Sequence, residues 1–198
     1  MKVLVLGIFP SPVTSIIEEF GCDVVEREDP VDVGFLRQHS IDFAISYRYS
    51  HLIGMSVIEY LNGNIINLHI SFLPWNRGAD PNLWSFLEAT PKGVSIHYVD
   101  EGLDTGDLIC QKKIAFETFN ETLATTYETL NKEILKLLQQ HWPLIAKGKA
   151  SRWKQPQGGS FHRMKDKKFY DHLLGKKGWD TPVHSLVGKA LISFEERR

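Results

Sequence analysis

The first seventy residues switch repeatedly between two periodicities, and that alternation is what most narrows the folds open to this chain. Short apolar runs at Val3–Gly7, Asp23–Glu26, Ile41–Ser46 and Asn64–His69 read as strands. Between them, Val13–Phe20, Val31–His39 and Ser56–Leu61 carry helical spacing. A strand–helix series of this kind folds as a parallel sheet with helices on its faces, because parallel neighbours need a long crossover connection. Ligands of such α/β sheets bind beyond the carboxyl ends of strands, near a topological switch point. The end of Asn64–His69 therefore becomes the first place to look for chemistry.

Further along, Asn82–Glu88 reads as a short helix and Leu108–Ile114 as a strand. Val94–Val99 alternates, with Val94, Ile96 and Tyr98 on one side and Ser95, His97 and Val99 on the other. A long helix is expected over Glu121–Gln140, because Leu123, Tyr127, Leu130, Ile134, Leu137 and Leu138 follow the helical period. Thr118–Glu121 has the spacing of a capping box ahead of it. From Gly148 onward the composition turns basic, glycine-rich and aromatic. The expected organisation is a catalytic domain over residues 1–147 and a short extension, 148–198, packed on the same domain.

Bulk properties exclude several classes. A chain of 198 residues with 42% hydrophobic residues can bury a sizeable core in one domain. There is no run of about eighteen apolar residues, so no membrane span is expected. The apolar start Met1–Gly7 is short and lacks the small-residue cleavage pattern of a signal peptide. Two cysteines, Cys22 and Cys110, do not make a disulfide scaffold and fit free thiols in a cytoplasmic protein. The net charge of −1 is unevenly distributed. Ten Lys and Arg residues lie between Lys147 and Lys177, opposed by Asp166 and Asp171 alone. Charge by itself leaves two readings, a solvated face or an attractor of anionic ligands.

The strand ending at His69 runs directly into a loop, Ile70-Ser71-Phe72-Leu73-Pro74-Trp75-Asn76-Arg77-Gly78-Ala79-Asp80-Pro81. In an extended segment alternate side chains share a side, so Asn67 and His69 reach the same substrate atom. Downstream, Gly102-Leu103-Asp104-Thr105-Gly106 offers a carboxylate in a glycine-flanked turn. An amide donor, an imidazole and an orienting carboxylate are what acyl transfer requires. Each alone has an ordinary structural explanation, and a turn Asp between glycines is a common one. No His-x-x-x-His or Cys-x-x-Cys spacing supports a metal site.

Taken together, four ordered blocks are far more specific. Asn67-Leu68-His69-Ile70-Ser71-Phe72-Leu73-Pro74, Arg77-Gly78-Ala79, Gly93-Val94-Ser95-Ile96-His97-Tyr98-Val99-Asp100 and Gly102-Leu103-Asp104-Thr105-Gly106-Asp107-Leu108-Ile109 resemble the folate-dependent formyltransferases. That family includes the glycinamide ribonucleotide and methionyl-tRNA enzymes. The resemblance covers roughly Lys2 to Gln140. It implies a Rossmann-like catalytic domain, 10-formyltetrahydrofolate as donor and no metal. By position, Asn67, His69 and Asp104 match the family's catalytic residues. The folate pocket implied by the resemblance maps to Tyr47–Ile53 and Val99–Asp104, with His51, Leu52, Ile53, Asp100 and Gly102 as donor contacts.

Departures from the family pattern narrow the acceptor. His69-Ile70-Ser71 replaces the usual His-Pro-Ser. The first loop, Gly7-Ile8-Phe9-Pro10-Ser11-Pro12, lacks the small residues with which the glycinamide enzyme holds ribose phosphate. The stretch after residue 148 is too short for the tRNA enzyme's C-terminal barrel, which sets nucleic acid aside as a partner. Leu73–Asn82 looks most like the nucleotide-sugar N-formyltransferases, which formylate a dTDP- or GDP-linked amino sugar, as in O-antigen and lipopolysaccharide synthesis. The tail segments Gly159–Asp166 and Gly178–Val183 look like the same subgroup. On that resemblance Arg77 grips the diphosphate, Trp75 offers a flat apolar face, and Asn76, Asp80 and Asn82 meet the sugar. The subgroup also implies a homodimer. A methionyl-tRNA-type formyltransferase, a formyltetrahydrofolate hydrolase and a catalytically silent folate-binding protein stay open as alternatives.

Overall fold

The computed structural model describes residues 1–190. In chain order its elements are β1 (Lys2–Leu6), α1 (Pro12–Glu19), β2 (Asp23–Arg27), α2 (Val33–Gln38), β3 (Phe43–Ser46), α3 (Met55–Tyr60) and β4 (Ile65–His69). There follow β5 (Arg77–Gly78), α4 (Pro81–Leu87), β6 (Gly93–Tyr98), β7 (Leu108–Lys113), α5 (Leu123–Ile145), β8 (Phe161–His162) and α6 (Asp171–Leu174). The main sheet has the order β2-β1-β3-β4-β6-β7, and β5 and β8 form a separate two-stranded pair. The expected α/β class with a mostly parallel sheet is what the chain adopts: β2, β1, β3 and β4 are mutually parallel, whereas β6 runs antiparallel to β4. No helix among the described residues is long and apolar enough to cross a membrane.

The chemistry of each segment accounts for its element. Val3, Leu4, Val5 and Leu6 are all buried, the signature of an interior parallel strand. A β-carbon at Gly7 would come within 2.0 Å of the Tyr47 carbonyl oxygen, so only glycine lets β1 turn away there. Ser11 then caps α1 by accepting from the Val13 N–H, with Pro12 inside the first turn. Asp32 caps α2 through the Phe35 N–H at 2.8 Å. The cap of α5 corrects the sequence expectation. Thr118–Asn120 is a separate 3-10 turn, and the reciprocal pair is Thr122 with Thr125. The Thr125 N–H donates to Thr122 Oγ1 at 3.2 Å, and the Thr122 N–H to Thr125 Oγ1 at 2.9 Å. The helix also runs beyond Gln140, through Pro143 to Ile145.

The described chain divides into two compact units. The first comprises Met1–His69, Ser95–Cys110 and Ile134–Gln155. A core of Leu4, Leu6, Leu36, Ile41, Ala44, Val57, Ile58, Leu61 and Ile65 holds it together. The second comprises Ile70–Val94, Gln111–Glu133 and the chain from Pro156 onward. Its core joins Leu83, Trp84, Phe86 and Leu87 of α4 to Leu123 and to Val183, Leu186 and Ala190. Residues 148–155 therefore belong with the first unit, and Val183, Leu186 and Ala190 of the expected extension share an apolar core with α4.

Candidate active site

Strand β4 delivers Asn67 and His69 at its carboxyl end. Its antiparallel register with β6 places Asn67 opposite His97 and His69 opposite Ser95. Directly opposed residues share one face of a sheet, so β6 adds an imidazole to the face that carries the amide. The turn after β6 adds the carboxylate. Asp104 sits there with φ of 54°, a left-handed conformation that Asp tolerates better than most residues. Asp100 organises this turn, accepting from the Gly102 N–H at 3.1 Å and from the Thr105 hydroxyl at 2.7 Å.

The three residues singled out in the sequence come together. The Asn67 side-chain amide donates to Asp104 Oδ1 at 2.9 Å. His69 Nδ1 lies 3.6 Å from Asp104 Oδ2. His69 and Asp104 are 7% and 8% exposed, so their interaction is little screened by solvent.

Sequence reasoning assigned no role here to the fourth member, His97. It is 2% exposed, with Nε2 3.3 Å from Asn67 Nδ2 and 3.4 Å from Asp104 Oδ1. Its Nδ1 lies 2.8 Å from the Tyr98 carbonyl oxygen, an atom that can only accept. The ring therefore carries a proton on Nδ1; an unprotonated Nε2 accepts from the Asn67 amide, and a protonated one faces Asp104 Oδ1. The alternation of Ser95, His97 and Val99 in the sequence contained this signal. Using it required knowing that β6 pairs with β4.

The residues assigned to the donor lie in varied settings. His51 is exposed and meets the Tyr49 ring edge-on at 5.3 Å. Leu52 is 84% exposed, whereas Ile53 packs on the core of the first unit. Asp100 and Gly102 are already engaged in the turn that holds Asp104.

The loop expected to meet the acceptor belongs to the second unit. Arg77 and Gly78 pair in parallel with Phe161 and His162, so the tail is stitched to the loop by backbone bonds. Arg77 Nη1 approaches the Gly158 carbonyl at 3.5 Å, and the residue as a whole is half-buried. Trp75 is also half-buried. Asp80 forms an ion pair with Lys167 at 3.0 Å. The two amides correct the expectation of sugar contacts. Asn76 is 0% exposed, and its side chain donates to Thr90 Oγ1 at 2.9 Å. Asn82 is 1% exposed, and its amide donates to the Leu123 carbonyl and to Thr126 Oγ1. Buried amides committed in this way hold the loop in shape.

Comparison with known proteins identifies the family. Residues 6–141 match the formyl transferase family. The chain is 48% identical to the formyltransferase PseJ of Anoxybacillus kamchatkensis, solved with UDP-4,6-dideoxy-4-formamido-L-AltNAc and tetrahydrofolate. That similarity has a TM-score of 0.91 and covers 96% of this chain and 100% of the other. Among curated relatives, it is 35% identical over 113 residues to the phosphoribosylglycinamide formyltransferase of Bacillus subtilis, covering 57% of this chain and 55% of that protein. It is 33% identical over 112 residues to the methionyl-tRNA formyltransferase of Syntrophomonas wolfei, covering 54% of this chain and 36% of the relative. The chain thus spans between about a third and just over half of the length of these two curated relatives. It belongs to the formyl transferase family.

Proposed function

From that membership we infer that the protein transfers a formyl group from 10-formyltetrahydrofolate to the amine of a nucleotide-linked amino sugar. The observation that carries this reading is the 48% identity, over nearly all of both chains, with a formyltransferase holding tetrahydrofolate and a UDP-linked formamido sugar. The same observation favours uridine diphosphate over dTDP or GDP as the nucleotide.

The residues supply each element of the chemistry. The amine lone pair attacks the formyl carbon, and the carbonyl oxygen becomes an oxyanion. The Asn67 amide donates to that oxygen. His69 takes a proton from the attacking nitrogen and returns it to N10 of the folate as the carbon–N10 bond breaks. Asp104 orients the His69 ring. The products are tetrahydrofolate and the formamido sugar. His51 to Ile53, with Asp100 and Gly102, remain the proposed donor contacts. Trp75, Arg77 and Asp80 are the proposed acceptor contacts. The reading extends to a cytoplasmic homodimer serving lipopolysaccharide-type sugar synthesis. Its support is the resemblance to the subgroup, beside the exposed large apolar side chains Phe119 and Phe169 of the second unit.

The test is release of tetrahydrofolate with a panel of UDP-, dTDP- and GDP-amino sugars, run beside charged initiator tRNA and a control without acceptor. Sugar-dependent release of tetrahydrofolate, without free formate, is the expected outcome. Release of formate without any acceptor identifies a hydrolase, and turnover on tRNA with steep salt dependence identifies the tRNA reading. Arg77→Ala is expected to raise the acceptor KM about 10- to 100-fold, the worth of one or two charged hydrogen bonds. The donor KM should hold. A selective rise in the donor KM would place the diphosphate elsewhere.

A further inference from the structure

We propose that Gln155 is a positioning residue that fixes the Asp104 carboxylate by clamping the turn that carries it. The proposal rests on the reading of Asp104 as part of the formyl-transfer site. Gln155 Nε2 donates to two backbone carbonyls, that of Asp104 at 2.8 Å and that of Gly106 at 2.9 Å. Both amide hydrogens thus span a turn whose central residue is held at a left-handed φ of 54°. Such a backbone persists only where the surroundings over-determine it.

Three further contacts tie residues 152–154 to the chain that follows this turn. Arg152 Nε donates to Asp107 Oδ2 at 2.8 Å, and Lys154 Nζ lies 3.1 Å from Asp107 Oδ1. The Arg152 hydrogen bond, ahead of Lys154, holds the Asp107 carboxyl below its usual range. Trp153 and Leu108 exchange backbone hydrogen bonds at 2.8 and 3.1 Å. A β-carbon at Gly106 would meet the Tyr98 carbonyl oxygen at 1.8 Å, so the turn lies directly on β6. The turn is therefore held by β6 and by residues 152–155. Gln155 is the member of that segment that bonds to the backbone of Asp104 itself.

Displacement of a catalytic group by about 1 Å is enough to cost about a hundredfold in rate. Gln155→Glu keeps the shape but replaces two donors with an acceptor facing two carbonyls. Gln155→Leu keeps much of the volume and removes the polarity. Each should lower kcat about 10- to 100-fold with both KM values close to wild type, because neither substrate loses a contact, and the two lost hydrogen bonds should lower the melting temperature by only a few degrees. In an Asp104→Asn background the loss should largely vanish, since the group being positioned is already disabled. If both Gln155 variants keep wild-type kcat while Asp104→Asn is inactive, the positioning role is overturned. It is equally overturned if their loss adds in full to that of Asp104→Asn, or if it appears only as a fall in melting temperature. Near-wild-type activity in Asp104→Asn itself would overturn the underlying site reading instead.

Discussion

Asp104→Asn is expected to lower kcat by about two to four orders of magnitude while leaving the fold intact. The substitution is chosen for what it preserves. Asn is among the few residues that accept a left-handed φ, so the turn at 54° carries no new strain. Its carbonyl oxygen can still accept from Asn67, as Asp104 Oδ1 does at 2.9 Å. What changes is the atom 3.6 Å from His69 Nδ1. A carboxylate oxygen there favours a hydrogen on Nδ1 and leaves Nε2 free to take a proton. An NH2 group there requires the opposite tautomer, which places the basic nitrogen on the wrong side of the ring. Removing a buried charge also takes away its desolvation cost, so the melting temperature should hold or rise. The checks are kcat and both KM values with circular-dichroism melts. An enzyme within threefold of wild type would show that His69 does not depend on Asp104.

The same turn shows where sequence reading succeeds and where it stops. β1 and β4 were legible because a strand buried on both faces must be largely apolar, and Val3–Leu6 is apolar throughout while Ile65, Ile66 and Leu68 flank the single amide of Asn67. Asn67 and His69 were legible because their relationship is local: two positions apart on one strand. Asp104 became visible through the glycines that allow its turn. His97 did not, because its relation to Asn67 is a cross-strand register, and no local pattern states which strand β6 will pair with. The β5–β8 pair lay further out of reach. It consists of two residues on each side, too few for a period, and it joins a loop to a tail more than eighty positions away. Asn76 and Asn82 were misplaced for a related reason. Polar residues in a loop or in a helix's first turn are ordinarily solvent-facing, and only the folded chain supplies the Thr90, Leu123 and Thr126 partners that allow both amides to be buried.

Asn67→Ala is the second large effect, and it differs from the first in kind. The amide nitrogen carries two hydrogens. One is donated to Asp104 Oδ1, and the other faces His97 Nε2 at 3.3 Å, a longer and weaker contact. That second hydrogen is the one the developing oxyanion can recruit, because a hydrogen bond to an anion is stronger than a long contact to an imidazole nitrogen. Losing a donor that acts only as charge develops should lower kcat about 100- to 1,000-fold, with KM little changed. It should also have a structural cost that Asp104→Asn does not. Asp104, 8% exposed, would lose a charged hydrogen bond worth about 1.5–3 kcal/mol. Asn67 itself is half-buried, so water can refill part of the gap and reduce that loss. For a chain of this length a deficit of about 1–2 kcal/mol lowers the melting temperature by about 2–8 °C. Together, kinetics and melting separate the two tasks of one side chain. A kcat loss with no thermal shift would mean that the bond to Asp104 contributes nothing to stability. A thermal shift with unchanged kcat would mean that Asn67 braces the carboxylate without touching the reaction.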